Sequence, residues 1–239
     1  MSADGARAGA SLLLFDVDGT LVWRATEAHR DALHDALREI HGIDPAAVRT
    51  SIEFAGRTDG EISRAILLAA GVSARRIDER GEQVREACCA RYAQLVADDL
   101  SEFVLPGVPE LLEWLSAPES RARLALLTGN FEAVARLKLA RAGIGSFFEH
   151  GQGAFGSDAE DRVSLPAIAR RRAGTVGVPF PRERTIVIGD TPRDIACARA
   201  DEVRCVTVAT GPCGIDELGA ADVVARDAFE LRERLSELL

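Results

Sequence analysis

"SLLLFDVDGT", residues 11–20, runs from an unbroken apolar stretch into two carboxylates, Asp16 and Asp18, and closes on a Gly-Thr turn. A short continuous apolar run bounded by a turn reads as a strand buried on both faces. Parallel sheets covered by helices need such strands. Side chains on a strand repeat with a period of two, so Asp16 and Asp18 are expected to point the same way at its carboxyl end. Two like charges that close repel unless a cation or a shared proton relieves them. Paired acids before a surface turn look the same in sequence, so this stretch speaks to the fold and leaves the chemistry open.

Similar apolar runs recur as "RLALLT" (123–128), "TIVIGD" (185–190), "RCVTV" (204–208) and "DVV" (222–224). Helical patterns separate them at 107–116, 131–142, 162–176, 192–200 and 227–238. Strands alternating with helices predict an α/β fold: a Rossmann-like, mainly parallel sheet joined by right-handed crossovers. Residues 24–100 break the alternation. They hold no convincing strand, but Leu33, Ala36, Leu37 and Ile40 share a helix face. So do Ile62, Ala65, Ile66 and Ala69, and so do Val84, Cys88, Tyr92 and Leu95. A segment this long is not a loop. It is expected to be a helical cap domain (24–100) inserted into an α/β core made of residues 1–23 and 101–239.

The 239 residues are 47% hydrophobic and carry a formal net charge of −9, which makes nucleic acid and anionic membrane unlikely general partners. No segment approaches the roughly 18 apolar residues of a membrane span, and "LLLF" is too short for a signal peptide. Cysteines 88, 89, 197, 205 and 213 show neither zinc nor redox spacing. A cytoplasmic protein, monomer or homodimer, is expected. Of the 29 basic residues only Lys138 is lysine. Against that bias Arg170–Arg172 reads as a solvated helix face.

Ligands of open α/β sheets bind beyond the carboxyl ends of the strands. Asp16 and Asp18 end the first strand there, Thr128-Gly129-Asn130 the second, and Asp190 the third, with Asp194 four residues on in "GDTPRDI". Arg162 lies 28 residues before Asp190, at the start of the intervening helix. Taken singly, Thr-Gly-Asn is also a helix cap, Asp-Thr-Pro a turn, and Arg162 a surface charge. Together they fall on one sheet edge. Four converging aspartates need a cation, and oxygen-only ligands suit Mg²⁺.

"DVDGT", "LLTGN", a downstream basic residue and "IGDTPRDI", in that order, resemble the four motifs of the haloacid dehalogenase-like superfamily. The helical insertion resembles the cap of its phosphoglycolate-phosphatase-like branch. That resemblance implies a Mg²⁺-dependent phosphatase acting on a small phosphorylated metabolite. Asp16 would be the nucleophile that forms an aspartyl-phosphate, and Asp18 the general acid and then base. Mg²⁺ would be held by Asp16, the backbone carbonyl of Asp18, Asp190 and Asp194. The phosphoryl oxygens would be held by Thr128, Gly129, Asn130, the amides at the next helix start and Arg162. Arg162 is a departure, since the family pattern usually has lysine there. Lys138, well inside its helix, reads as an ordinary surface residue rather than a replacement.

In the cap, Arg57 of "FAGRTDGEI" (54–62) is a candidate for pairing with an anionic group on the substrate, beside the plain reading of a solvated loop with Thr58 as a helix cap. His29 reads as a helix-surface histidine and Trp23 as packing between domains. Two other readings share these residues. A phosphomutase uses the same four motifs, and a non-enzymatic phosphoacceptor module also gathers acids around Mg²⁺.

Overall fold

In the first strand, β1 (Ser11–Phe15), Leu12 and Leu14 turn to one face of the sheet while Leu13 and Phe15 turn to the other, and all four are fully buried. The uninterrupted run is therefore two alternating sets, each with its own hydrophobic layer. The computed structural model describes residues 9–49 and 53–239. Helices α1 (Glu27–His41), α2 (Asp59–Ala69), α3 (Ala74–Leu95) and α4 (Val108–Ser116) follow β1. Then come β2 (Ala122–Thr128), α5 (Glu132–Arg141), β3 (Ala154–Phe155), α6 (Leu165–Ala173) and β4 (Thr185–Gly189). The chain ends with α7 (Pro192–Ala200), β5 (Arg204–Val208), α8 (Ile215–Leu218), β6 (Val223–Ala225) and α9 (Ala228–Leu238).

The six strands lie in the order β3-β2-β1-β4-β5-β6, every pairing parallel. This is the doubly wound arrangement, in which the order reverses at β1 and opens a crevice at the strand ends. Phe15 is in register with both Leu126 and Ile188, so the residues following β1 and β4 emerge side by side. Each strand expected from the apolar runs is present. The additional strand β3, only two residues long in the glycine-rich "GQGAFGS", has no sequence pattern long enough to announce it.

Among the described residues, three α-helices and a 3₁₀ turn (Pro45–Ala47) occupy the segment between Trp23 and Leu100. Thr58 does cap α2: its Oγ1 accepts from the Glu61 amide at 3.0 Å. Gly42 ends α1 with a φ of 71°, in the left-handed region that favours glycine. Ala36, Leu37, Leu67, Cys88 and Tyr92 form the inner face of these helices, and their cluster is continuous with the sheet layer that holds Leu13 and Phe15. Among the described residues, no helix is long and apolar enough to cross a membrane.

Candidate active site

Asp16 leaves β1 with its amide still donating to the Ile188 carbonyl, at 2.8 Å. The sheet thus fixes its backbone beside the end of β4, where Asp190 follows Gly189. Asp194 lies in the first turn of α7 and closes a capping box, its carboxylate accepting from the Thr191 amide at 3.0 Å and the Thr191 hydroxyl at 2.6 Å. Arg162 comes from a single 3₁₀ turn before α6, whose cap is Asp161. Its Nη2 reaches Asp194 Oδ1 at 2.5 Å and Asp16 Oδ1 at 3.2 Å. One buried guanidinium is therefore shared between two buried carboxylates.

Asp16, Asp190 and Asp194 each offer an oxygen within 4.8 Å of the others. Charge is undercompensated here. Burial raises the Asp16 carboxyl to a pKa of about 6, Arg162 opposing and Asp194 adding to the rise. Burial, then Asp16 and Asp194, push Asp190 up to about 9. Oδ1 of Asp190 accepts from the Thr20 hydroxyl at 3.3 Å, but Oδ2 is buried without a partner. The carboxylate also lies in a cradle of bare glycine. A Cβ on Gly19 would stand 2.2 Å from Asp190 Oδ2, and one on Gly211 1.6 Å. An unpartnered buried oxygen, a set of hard oxygen donors and raised carboxyls fit a divalent cation such as Mg²⁺.

Asp18 has a different environment. Lys138 Nζ donates to both its oxygens, at 2.7 and 2.8 Å, and the Asn130 side-chain amide donates to Oδ2 at 3.0 Å. Lys138 in turn donates to Asn130 Oδ1 at 3.0 Å, which closes a triangle. Burial acts to raise the Asp18 carboxyl, but the Lys138 charge and these hydrogen bonds hold it below its ordinary value.

Lys138 is not a surface residue; it is fully buried. An ammonium is buried only when paired, and Asp18, 120 residues away, pairs it. The signal was in the helix face: Val134, Ala135, Lys138 and Leu139 are the buried residues of α5, and a lysine at the fourth position after Val134 shares their side. His29 is also buried rather than on the helix surface, its Nε2 lying 3.0 Å from Asp59 Oδ2. Arg170 is likewise not solvated. It makes two bonds to Asp201, at 2.5 and 2.9 Å, and one to the Phe180 carbonyl. Arg172 pairs with Asp158.

Thr128 is fully buried, and its Oγ1 accepts from the Asn130 amide at 3.3 Å. The next amides are engaged as well: Phe131 donates to Asp59 Oδ2 at 2.7 Å and Glu132 to Ser157 Oγ at 2.8 Å. Gly129 meets the loop before α2 backbone to backbone, its carbonyl accepting from the Asp59 amide at 2.9 Å. A Cβ on Gly129 would stand 2.1 Å from the Arg57 carbonyl oxygen. Arg57 itself donates to the Glu53 carbonyl at 2.9 Å and pairs with Glu61.

Above the acids is a cavity of about 380 Å³ that Asp16, Asp18, Arg162 and Asp190 line from the sheet side and His29, Arg57 and Trp23 from the other. A carboxylate with raised pKa and only a shared cation, beside a second that has a cation to itself, is suited to attack on an electrophile with proton transfer alongside.

A family model described as haloacid dehalogenase-like hydrolase matches residues 10–200. Phosphoglycolate phosphatase of Rhodospirillum rubrum is 30% identical over 203 residues, which make up 83% of this chain and 79% of that protein. Among solved structures, a hydrolase from Pseudomonas syringae matches at 24% identity with a TM-score of 0.65, covering 96% of this chain and 99% of that one. A β-phosphoglucomutase from Clostridium difficile matches at 15% identity with a TM-score of 0.66, covering 95% and 98%. The two structural likenesses speak to the fold.

Proposed function

The chain belongs to the haloacid dehalogenase-like hydrolases, and from that premise we propose that it is a phosphatase hydrolysing a small phosphomonoester through an aspartyl-phosphate on Asp16. The observation that carries this reading is the cavity floor. Asp16 and Asp18 line one cavity, the first with its charge only partly compensated and the second tied to its own lysine. Helices α1–α3 act in this reading as a cap that closes the reacting group off from water.

Asp16 Oδ attacks phosphorus, its new bond forming as the bond to the leaving oxygen breaks, and Asp18 gives that oxygen a proton. Asp18, now a carboxylate, takes a proton from water. The water oxygen bonds to phosphorus, the aspartyl bond breaks, and Asp16 is restored. The Lys138 pair suits Asp18 to this second half. A phosphoryl dianion arriving beside it is a like charge and favours the protonated form that the first half needs. Arg162, whose Nε is buried without a partner, has a donor to offer a phosphoryl oxygen while its Nη2 holds Asp16 and Asp194. Asp16, Asp190 and Asp194, with the Asp18 carbonyl, would hold Mg²⁺, which would supply charge neutralisation when bound.

Asp16→Asn keeps the shape and removes the nucleophile. It is expected to lose p-nitrophenyl phosphate turnover by at least about a thousandfold, a loss of roughly 4 kcal/mol of transition-state stabilisation, with unchanged thermal melting. Turnover near wild type in a sample checked for deamidation would remove Asp16 from the role. A phosphomutase uses the same four motifs, which leaves a second reading in which a sugar hydroxyl replaces water. Turnover that requires a sugar bisphosphate primer would select it.

A further inference from the structure

The floor of the cavity is acidic, but its walls are largely apolar. Trp23 follows β1, Leu33 lies on α1, Phe54 in the loop before α2, Ile62 on α2, and Pro212 after β5; all five line the cavity. Trp23 is 37% exposed and Phe54 41%, so these two rings are not absorbed into the hydrophobic core. Large apolar faces left open in a concave site are favourable places for an apolar ligand body.

Two of the cations that reach the same space from the helices are engaged within the fold, Arg30 is paired at the surface, and His34 on α1 lines the cavity with burial, Arg38 and Arg30 lowering its affinity for a proton. Arg30 is held by Asp31 at 3.1 Å, Arg57 by Glu61 and the Glu53 carbonyl, and His29 by Asp59. Arg24 lines the cavity as well but is exposed to solvent. Recognition of a second carboxylate or phosphate by Arg57 or His29 would have to break an existing pair that is largely buried, whereas an apolar body displaces only water. The volume, about 380 Å³, is in the range that encloses organic ligands larger than a bare phosphate.

Resting on the phosphatase reading above, we infer that the substrate is a phosphomonoester whose alcohol carries an apolar body, an alkyl chain or a single aromatic ring, seated against Trp23 and Phe54. The cavity joins that body directly to Asp16 and Asp18, so the ester oxygen lies at its reacting end. A small, doubly anionic ester such as 2-phosphoglycolate leaves these walls unfilled.

The test is a series of ethyl, n-butyl and n-hexyl phosphate assayed with Mg²⁺ beside 2-phosphoglycolate and p-nitrophenyl phosphate. The alkyl leaving groups have nearly equal basicity, so a trend in kcat/KM reports on the walls. The expected rise is about three- to fourfold per methylene until the cavity is filled. Phe54→Ala and Trp23→Ala should each flatten it, and Phe54→Leu should keep most of it. A flat series, or 2-phosphoglycolate turned over faster than n-butyl phosphate, would overturn the inference and leave the phosphatase reading standing. If no ester is hydrolysed, p-nitrophenyl phosphate included, the phosphatase reading fails and this inference fails with it.

Discussion

Asp16 and Asp18 are two residues apart in one motif, and the molecule treats them in opposite ways. Asp16 shares a single guanidinium with Asp194 and has Asp190 nearby, so burial prevails and its carboxyl is raised. Asp18, which is more exposed, has an ammonium to itself, bonded to both its oxygens, with Asn130 bonded to Oδ2 and to the same ammonium, and its carboxyl is lowered although burial acts to raise it. Burial alone therefore does not decide the state of an acid; the number of cations per carboxylate does. One side of the site is left short of positive charge and the other is complete.

The most severe way to disturb this contrast is to remove the complete side. Lys138→Met leaves a carboxylate without its partner and is expected to lower stability by about 2–4 kcal/mol, the lower part of the range for broken buried pairs because Asp18 opens onto the cavity. Lys138→Met combined with Asp18→Asn should regain most of that stability but no activity. Denaturant titration of the wild type and the two variants measures this. A single variant as stable as wild type would mean that the pair contributes nothing to the fold.

Arg162 sharpens the other side. Arg162→Ala removes a charge-assisted contact of about 1.5–3 kcal/mol, which is roughly a ten- to hundredfold fall in kcat/KM. Arg162→Lys should recover part of it, because an ammonium keeps the charge between Asp16 and Asp194 but lacks the additional donor that Arg162 holds in its unpartnered Nε. Wild-type kinetics in Arg162→Ala would show that the shared cation is dispensable.

The smallest expected effect is on pH and metal. Asp190 has a pKa of about 9 and Asp16 one of about 6 in the fold, both above the ordinary carboxyl value of 3.8 that holds on unfolding. The folded protein then holds protons that the unfolded chain has released. Stability without metal is greatest below about pH 4 as far as these two groups are concerned, and declines as pH rises toward 9. A divalent cation displaces those protons, so stabilisation by Mg²⁺ should grow with pH. Melting in EDTA and in Mg²⁺ at pH 6 and pH 8.5 should show a wider gap at the higher pH, each kcal/mol of it amounting to roughly 2–4 °C for a chain of this size. An equal gap would deny the charge shortfall.

The same contrast explains what could be read from the chain. Strand runs such as "LLLF" and "TIVIG" are local signals, and the sheet follows from them together with the helices between. Asp16, Asp18 and Asp190 were legible because each closes such a run. The pairing of Asp18 with Lys138 was not, because the partners are joined only by the placement of α5 against β1. Residue type misled there: a lone lysine reads as surface, and its neighbours Val134, Ala135 and Leu139 carried the better signal. His29 and Asp59 escaped for the same reason, one on α1 and the other on α2.

The contact of Gly129 with the loop before α2 has a consequence for how this protein can change over time. The closest part of the join is made of main-chain atoms, the Asp59 amide on the Gly129 carbonyl, with no room for a Cβ at residue 129, and Asp59 Oδ2 adds the Phe131 amide. Residue 129 is held to glycine, and neither Trp23 nor Phe54 takes part in this contact. The walls that face the ligand can therefore be exchanged, Trp23 and Phe54 among them, without rewriting how the helices dock on the sheet. Selectivity and chemistry sit on separate mutational axes, so a lineage can explore new alcohols while its phosphoryl machinery stands still.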